Sequence, residues 1–512
     1  MALAKAKSCG LTGIDGYVID VEADLVSALP GIDIVGLADT AVKESKERIK
    51  SAIKNSLFTL PQKKMIINLA PANTKKSGIS LDLPICVSIL AASGQIPQTS
   101  LEGCIILGEL ALDGGLRGIN GVLPIAANAK QMGFDKLIVP YENAAEAAVV
   151  EGLEVYGAKN LKEVVDHFRG EKPIDKAYFD TAGLFDNADT FDADFAEVKG
   201  QEASKRALEI AAAGGHNCLM IGSPGSGKTM LAKRLPSILP DMSFDEALEV
   251  TKIYSVAGQL KAGTALITKR PFRSPHHTMS SAALTGGGSN PRPGEISLAH
   301  RGVLFLDEFP EFRKDAMEAM RQPIEDGSLT VSRVSGSCVF PSSVMLIASM
   351  NPCKCGYFGD PNHECTCTSG QIQSYLGKVS GPMLDRFDLH IEVPSVKYDE
   401  LSQKKKGESS SDIRKRVDKA RKIQLERYKD AGVFCNAQLT NALVEKYCSL
   451  SEDANAILKA AFENLNLSAR AHNRILKVAR TIADLAGSEN IETEHLAEAI
   501  QYRSLDKKFW SN

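Results

Sequence analysis

The stretch best suited to chemistry is Gly222-Ser223-Pro224-Gly225-Ser226-Gly227-Lys228-Thr229. It follows the short apolar run Cys218–Ile221 and precedes a helix-forming run from Met230 to Leu235. A G-x-x-x-x-G-K-[ST] sequence between a strand and a helix binds nucleotide phosphates. Its glycines let backbone N–H groups face the phosphates, and the helix N-terminus adds a favourable dipole. Lys228 is expected to reach the β- and γ-phosphates of ATP, and Thr229 to ligate Mg²⁺. A second apolar run, Val303-Leu304-Phe305-Leu306, ends in Asp307-Glu308. A buried parallel strand delivers such residues to a site at its C-terminal edge. Asp307 suits Mg²⁺, directly or through water, and Glu308 suits the base that activates the attacking water. The other reading of this pair is a solvated acidic turn. A third run, Val344 to Met350, ends in Asn351-Pro352. The Asn351 amide is placed to hold the attacking water, unless the pair only forms a turn.

Cys353-Lys354-Cys355 and Cys365-Thr366-Cys367 form two C-x-C pairs separated by nine residues, with His363 between them. Four soft ligands in one loop can hold Zn²⁺ tetrahedrally. Gly356, Gly359 and Pro361 allow a tight knuckle between the pairs. The spacing departs from the commoner C-x₂-C, so free or redox-active thiols stand as the alternative.

From Lys269 to Arg301 there are five basic residues (Lys269, Arg270, Arg273, Arg292, Arg301) and one acid, Glu295. His276, His277 and His300 add donors, and Gly286, Gly287 and Gly288 loosen the backbone. A segment of this charge is a candidate contact for nucleic-acid phosphates. Structural or intersubunit packing is the plainer reading. Thr330 to Phe340 alternates polar and apolar residues around Ser335-Gly336 and predicts a β-hairpin that carries Arg333. A further basic stretch, Lys404 to Lys429, reads first as a solvated helical face.

These residues need elements to position them. The chain has 512 residues, 44% hydrophobic and 24% charged, with a net charge of −3. That suits about three folded domains. It excludes a disordered or collagen-like chain, and it confines any DNA binding to local patches. No apolar run approaches the roughly 18 residues of a membrane span, and the start lacks the apolar core of a signal peptide. Eleven cysteines without such a leader point to reduced thiols in the cytoplasm. Residues 1–168 predict an α/β domain. Its strands are expected at Tyr17–Val21, Met65–Leu69, Ile105–Leu107 and Lys136–Val139, and its helices at Ala41–Lys54, Leu83–Ala92 and Ala126–Met132. An acidic linker follows at 169–194, then an α/β core at 195–397 and a helical region at 398–512.

The phosphate loop, the Asp307-Glu308 strand, Asn351 and Gly381-Pro382-Met383-Leu384-Asp385-Arg386-Phe387-Asp388 together resemble an AAA+ ATPase of the magnesium-chelatase-like group. Arg270-Pro271-Phe272-Arg273-Ser274-Pro275-His276-His277 and the segment from Gly286 to Ile296 sharpen the resemblance to the ComM/YifB type. The resemblance covers essentially the whole chain. It implies a Lon-protease-like (ribosomal S5 domain 2-like) α/β domain, an AAA+ P-loop α/β core and a C-terminal helical lid. It implies that Arg386 is the arginine finger that enters a neighbouring subunit's ATP site, within a ring that is usually a hexamer. Arg470, in Ser468-Ala469-Arg470, resembles the sensor-2 arginine, with Arg474 one turn on as the alternative. Lys269–Arg301 resembles the helix-2 insertion that points into the pore, and Arg333 lies on the hairpin before sensor 1. That makes Arg270, Arg273, His276, His277, Arg292 and Arg333 the candidate DNA contacts.

The function implied is a hexameric DNA branch-migration helicase on recombination intermediates. Two other readings stand beside it: a chelatase-type motor subunit, and an ATP-dependent protein remodeller or protease. Lys75-Lys76-Ser77-Gly78-Ile79-Ser80-Leu81-Asp82 falls where Lon carries its nucleophile, with Ser80 at that place. A Ser–Lys protease also needs a lysine base. The matching region, Gly121-Val122-Leu123-Pro124, has none, and Lys130 lies further along. A non-proteolytic domain is the expectation.

Overall fold

The computed structural model describes residues 3–72, 74, 76, 78–180, 191, 193–288, 291–333, 336–396, 407–465 and 468–510, apart from the side chains at 79, 333, 336, 506 and 507. Lys75, Ser77, Ser289, Asn290, Val334, Ser335, residues 181–190 and 192 of the acidic linker, residues 397–406 and the Arg333 side chain lie outside the described residues. Among the described residues, no helix is long and apolar enough to cross a membrane.

The N-terminal part is a seven-stranded mixed sheet. Its spatial order is Gly31–Val35, Lys64–Ala70, Asp15–Val26, Leu3–Thr12, Cys104–Ile106, Lys136–Pro140 and Glu154–Ala158. The helices Thr40–Asn55, Asp82–Ala92, Val122–Gln131 and Leu161–Arg169 pack with it. Asp82–Ala92 is buried along its whole length, which matches its almost unbroken apolar sequence. The strands and helices expected from sequence coincide with these elements, except that Leu107 and Met132 lie one residue beyond the ends of theirs. Leu3–Thr12 was not expected, because Ala4, Lys5, Ala6 and Lys7 are poor strand formers. It forms because it pairs antiparallel with Asp15–Val26, burying Ala4 and Ala6. On the other face Lys5 meets Glu22 at 2.7 Å and Lys7 meets Asp20 at 2.6 Å.

The second part is a five-stranded parallel sheet, ordered Phe272–Arg273, Val303–Leu306, Met345–Met350, Cys218–Ile221 and Leu389–Glu392. Its inner strands are buried throughout and apolar except for Ser349, as a sheet covered on both faces requires. The antiparallel hairpin Ser328–Arg333 and Gly336–Pro341 stands beside it, where the alternating sequence placed one.

The C-terminal helices Ser410–Arg427, Glu452–Leu465, Ala469–Ala486 and Thr493–Gln501 share one apolar core with this sheet. Ile413, Val417, Ile475 and Ile482 belong to the same cluster as Met220 and Leu389. A smaller cluster ties the N-terminal part to the helix Phe244–Ala257. It joins Leu123 and Val149 to Met242, Ala247, Val250 and Leu266.

Candidate ATP site and its surroundings

Strand direction places the site. In a parallel sheet, every loop that leaves a strand's C-terminal end arrives at the same edge. The phosphate loop leaves Cys218–Ile221, Asp307-Glu308 leaves Val303–Leu306, and Asn351 leaves Met345–Met350. Three segments far apart in sequence therefore converge.

The phosphate loop is held from several sides. Gly222 N donates to Met350 O at 3.2 Å. A Cβ on Gly222 would lie 2.3 Å from Val393 O, so only glycine fits there. Gln201 Nε2 donates to Ser226 O at 2.5 Å and to Pro394 O at 3.1 Å. Lys228 folds back on the loop, donating to Gly222 O at 2.7 Å, Ser223 O at 3.0 Å and Asn351 Oδ1 at 3.3 Å. Burial pushes its ammonium down to about 8, against the opposing pull of Asp307 and Glu308.

Thr229 Oγ1 donates to Asp307 Oδ2 at 2.7 Å, and Ser349 Oγ bonds the other carboxylate oxygen. The hydroxyl and carboxylate form a hard-oxygen pair of the kind Mg²⁺ takes. Glu308 adopts a left-handed backbone with φ 52°, an uncommon conformation for a residue with a Cβ. Its side chain is 60% exposed, and its Oε2 lies 3.3 Å from His277 Nδ1.

Neither Gln201 nor Ser349 stands out in the sequence as a site residue. Gln201 lies before the helix Glu202–Gly214, and Ser349 is the one hydroxyl residue of the strand Met345–Met350. A polar residue within a buried apolar strand was the available signal for Ser349, since such a group needs a partner.

The candidate arginines are at the other edge. Asp388 N donates to Asn217 O at 2.9 Å, and Asn217 precedes the strand whose far end carries the phosphate loop. That strand has four residues, so the two edges stand roughly 13 Å apart at ~3.3 Å per residue. Arg386 bonds Glu325 there. Arg474 pairs with Asp388 at 2.8 Å and Arg470 with Asp385 at 3.5 Å. Burial alone would raise Asp388, but Arg474 and His216 hold its carboxyl well below the usual carboxylate range. Arg386, Arg470 and Arg474 share the wall of a cleft of about 990 Å³. Arg386 and Arg470 are thus brought together with each other, and neither pairs with the phosphate loop.

The four cysteines converge, with their Sγ atoms all within 4.8 Å of one another. Cys353 and Cys355 are 3.3 Å apart, Cys353 and Cys365 3.7 Å, and Cys355 and Cys365 3.6 Å. A tetrahedral Zn–S₄ site with Zn–S of about 2.3 Å has edges of roughly 3.8 Å, so the group fits zinc. His363 stands apart from it, stacked on Tyr357 at 4.8 Å and 3.6 Å from Asp360.

Two of the candidate DNA contacts have internal partners in this structure. Arg270 donates to Pro240 O at 2.6 Å, Arg301 O at 2.8 Å and Glu246 at 2.8 Å. Arg273 makes a bidentate pair with Glu295 at 2.6 and 2.7 Å. Both guanidiniums are held by these internal partners, which tie the segment to the core. His276 and Arg292 are exposed, whereas His277 is partly buried and turned toward Glu308. In the N-terminal part, Lys130 pairs with Asp135 at 3.2 Å and lies against Gly152. Lys76 is fully buried and bonds the Pro71 carbonyl.

Comparison with known proteins matches three family models. Residues 194–401 match "Magnesium chelatase, subunit ChlI", 21–143 match "Subunit ChlI of Mg-chelatase", and 407–503 match the ChlI C-terminal model. The YifB protein of Salmonella typhimurium is 44% identical over 510 residues, covering 99% of this chain and 98% of the relative. The competence protein ComM of Haemophilus influenzae is 42% identical over 509 residues, covering 99% and 98%. Lon protease 2 of Bacillus subtilis is 28% identical over 178 residues, 32% of each chain.

Proposed function

The chain belongs to the magnesium-chelatase-like AAA+ ATPases, in their ComM/YifB-type group, and from that premise we propose a ring-forming motor that drives branch migration of DNA. One observation carries the ring. The phosphate loop, Asp307 and Glu308 occupy one edge of the sheet, while Arg386 and Arg470 occupy the other. An ATP site completed by arginines then needs a second copy of the chain, and a head-to-tail contact of this kind closes into a ring. Residues 195–397 form the motor, 398–512 the helical region that supplies Arg470, and 1–168 a non-proteolytic domain docked on the motor.

In this reading the Gly222–Thr229 loop and Lys228 hold the phosphates of ATP, and Thr229 and Asp307 hold Mg²⁺. Bound Mg²⁺ neutralises charge on the β- and γ-phosphates. Glu308 takes the proton of the attacking water, His277 steadies the Glu308 carboxylate, and the Asn351 amide orients the water. Arg386 and Arg470 of one chain stabilise charge in the site of the next. The four cysteines hold one zinc ion. DNA is contacted through His276, Arg292 and Arg333. The Haemophilus relative's name, a competence protein, favours DNA as the client.

The test is ATP-driven branch migration of a labelled four-way junction, with Glu308→Gln as the control. Strand exchange by the wild type that is lost in the control is the expected result. ATP hydrolysis that no DNA stimulates, without strand exchange, refutes the DNA reading and points to a protein or tetrapyrrole client.

A further inference from the structure

The cysteine knuckle and the phosphate loop touch. Gly356, directly after Cys355, has φ +90°, and a Cβ there would lie 2.5 Å from Pro224 Cδ and 2.6 Å from Pro224 Cγ. Pro224 is the third residue of the phosphate loop. A second contact runs through Ser395. Its hydroxyl stands 3.1 Å from Ser223 Oγ and 3.5 Å from Asp360 Oδ2. Asp360 lies between the two cysteine pairs, and its side chain is only 5% exposed. The knuckle also begins at Asn351, whose side chain accepts from Lys228 at 3.3 Å. Three contacts thus join a segment of about fifteen residues, folded around four thiols, to the turn that must stay open for phosphates.

Such a segment has few ways to hold its shape alone. It is short and carries glycines at 356 and 359, both with positive φ. A tetrahedral metal centre fixes all four cysteines at once, and the binding energy of such a centre is also folding energy for the loop. With the centre filled, Gly356 is held against Pro224, and Asp360 against Ser395 and Ser223. With it empty, the knuckle relaxes and the Ser223-Pro224 turn loses one wall.

We propose that the Cys353, Cys355, Cys365 and Cys367 centre is thermodynamically linked to the nucleotide site through the Gly356–Pro224 and Asp360–Ser395–Ser223 contacts. Zinc in the knuckle strengthens nucleotide binding, and bound nucleotide strengthens zinc binding. The inference rests on the reading of the cluster as a zinc site. Linkage requires the two effects to be equal in size. A coupling of roughly tenfold lies within the range common for linked sites.

The experiment uses the full-length chain. Zinc content is measured first. Zinc affinity is then measured by competition with a chelator of known affinity, with and without saturating Mg·ADP. The affinity for a fluorescent ADP analogue is measured on zinc-loaded and zinc-stripped protein. The expected result is one zinc per chain and the same factor, about tenfold, in both directions. Protein that purifies without zinc, and takes none up, refutes the metal reading and the linkage with it. Protein that holds zinc with the same affinity whether or not nucleotide is present overturns the linkage and leaves the metal reading standing.

Gly356→Ala supplies a test that does not require stripping. The added methyl presses on Pro224, so this variant is expected to keep its zinc and bind ADP at least tenfold more weakly. Wild-type ADP affinity in a zinc-loaded Gly356→Ala protein would show that the contact transmits nothing.

Discussion

Mixing two dead variants tests whether Arg386 serves its own chain or the next. Lys228→Ala removes the phosphate cation but leaves Arg386 intact. Arg386→Ala keeps the phosphate loop whole and removes the proposed finger. The Arg386 side chain is 9% exposed and pairs with a Glu325 that is 59% exposed. Removing it leaves Glu325 largely in solvent, so no buried charge is stranded. The variant should therefore fold. It should bind nucleotide normally and lose on the order of 10³-fold or more in turnover, the range for such fingers.

The two sheet edges stand roughly 13 Å apart, and the described contacts of Arg386 all lie at the edge away from the phosphate loop. A site is then live when its own chain carries Lys228 and the adjacent chain carries Arg386. In a random 1:1 ring those two conditions are each met half the time, giving about a quarter of the wild-type rate. The assay is phosphate release from co-expressed, doubly tagged complexes, compared with each parent alone. A mixture no better than the mean of its parents would refute the reasoning, because an arginine acting within its own chain cannot complement.

Four further outcomes are expected. His277→Ala should lower kcat about tenfold without changing nucleotide affinity, as expected when a general base loses its positioning partner; unchanged kcat would remove His277 from the site. Gly222→Ala should abolish nucleotide binding in a folded chain, since its Cβ would sit 2.3 Å from Val393 O; retained binding in a fluorescence titration would contradict the close packing. Glu249 is held at about 2, below its ordinary 4.5, by the His300 hydrogen bond and by Arg301. Its contribution is present above pH 4.5 and is lost as pH falls toward 2. Glu249 is 43% exposed, so Glu249→Gln should cost under about 1 kcal/mol at pH 7, and the gap in urea midpoint should narrow below pH 4.5 and close only near pH 2. Arg292→Ala should weaken DNA binding similarly across sequences and reduce the salt slope by about 1, as for a phosphate contact; an unchanged slope would place Arg292 off the DNA.

The motifs of the candidate ATP site were legible in the sequence, because each of them is local. Gly222–Thr229, Asp307-Glu308 and Asn351 each end a short apolar strand, and strand ends in a parallel sheet meet at one edge whatever the intervening chain does. The cysteine spacing was legible for the same reason, since both pairs sit on one loop. Charge was a poorer guide. Arg270, Arg273 and Arg292 look alike in sequence, yet two pair with Glu246 and Glu295 and one faces solvent. Whether a cation is free depends on carboxylates brought up by other elements, which no local pattern records. The tertiary structure alone decided that Gln201 and Ser349 support the site, and that His277 faces Glu308. It decided too that Gly356 rests on Pro224, and that Arg386 and Arg470 stand at the far edge of the sheet. Sequence specifies strands, helices and loop chemistry through short-range sterics and burial pattern, whereas these pairings arise only when packing closes gaps of tens to hundreds of residues.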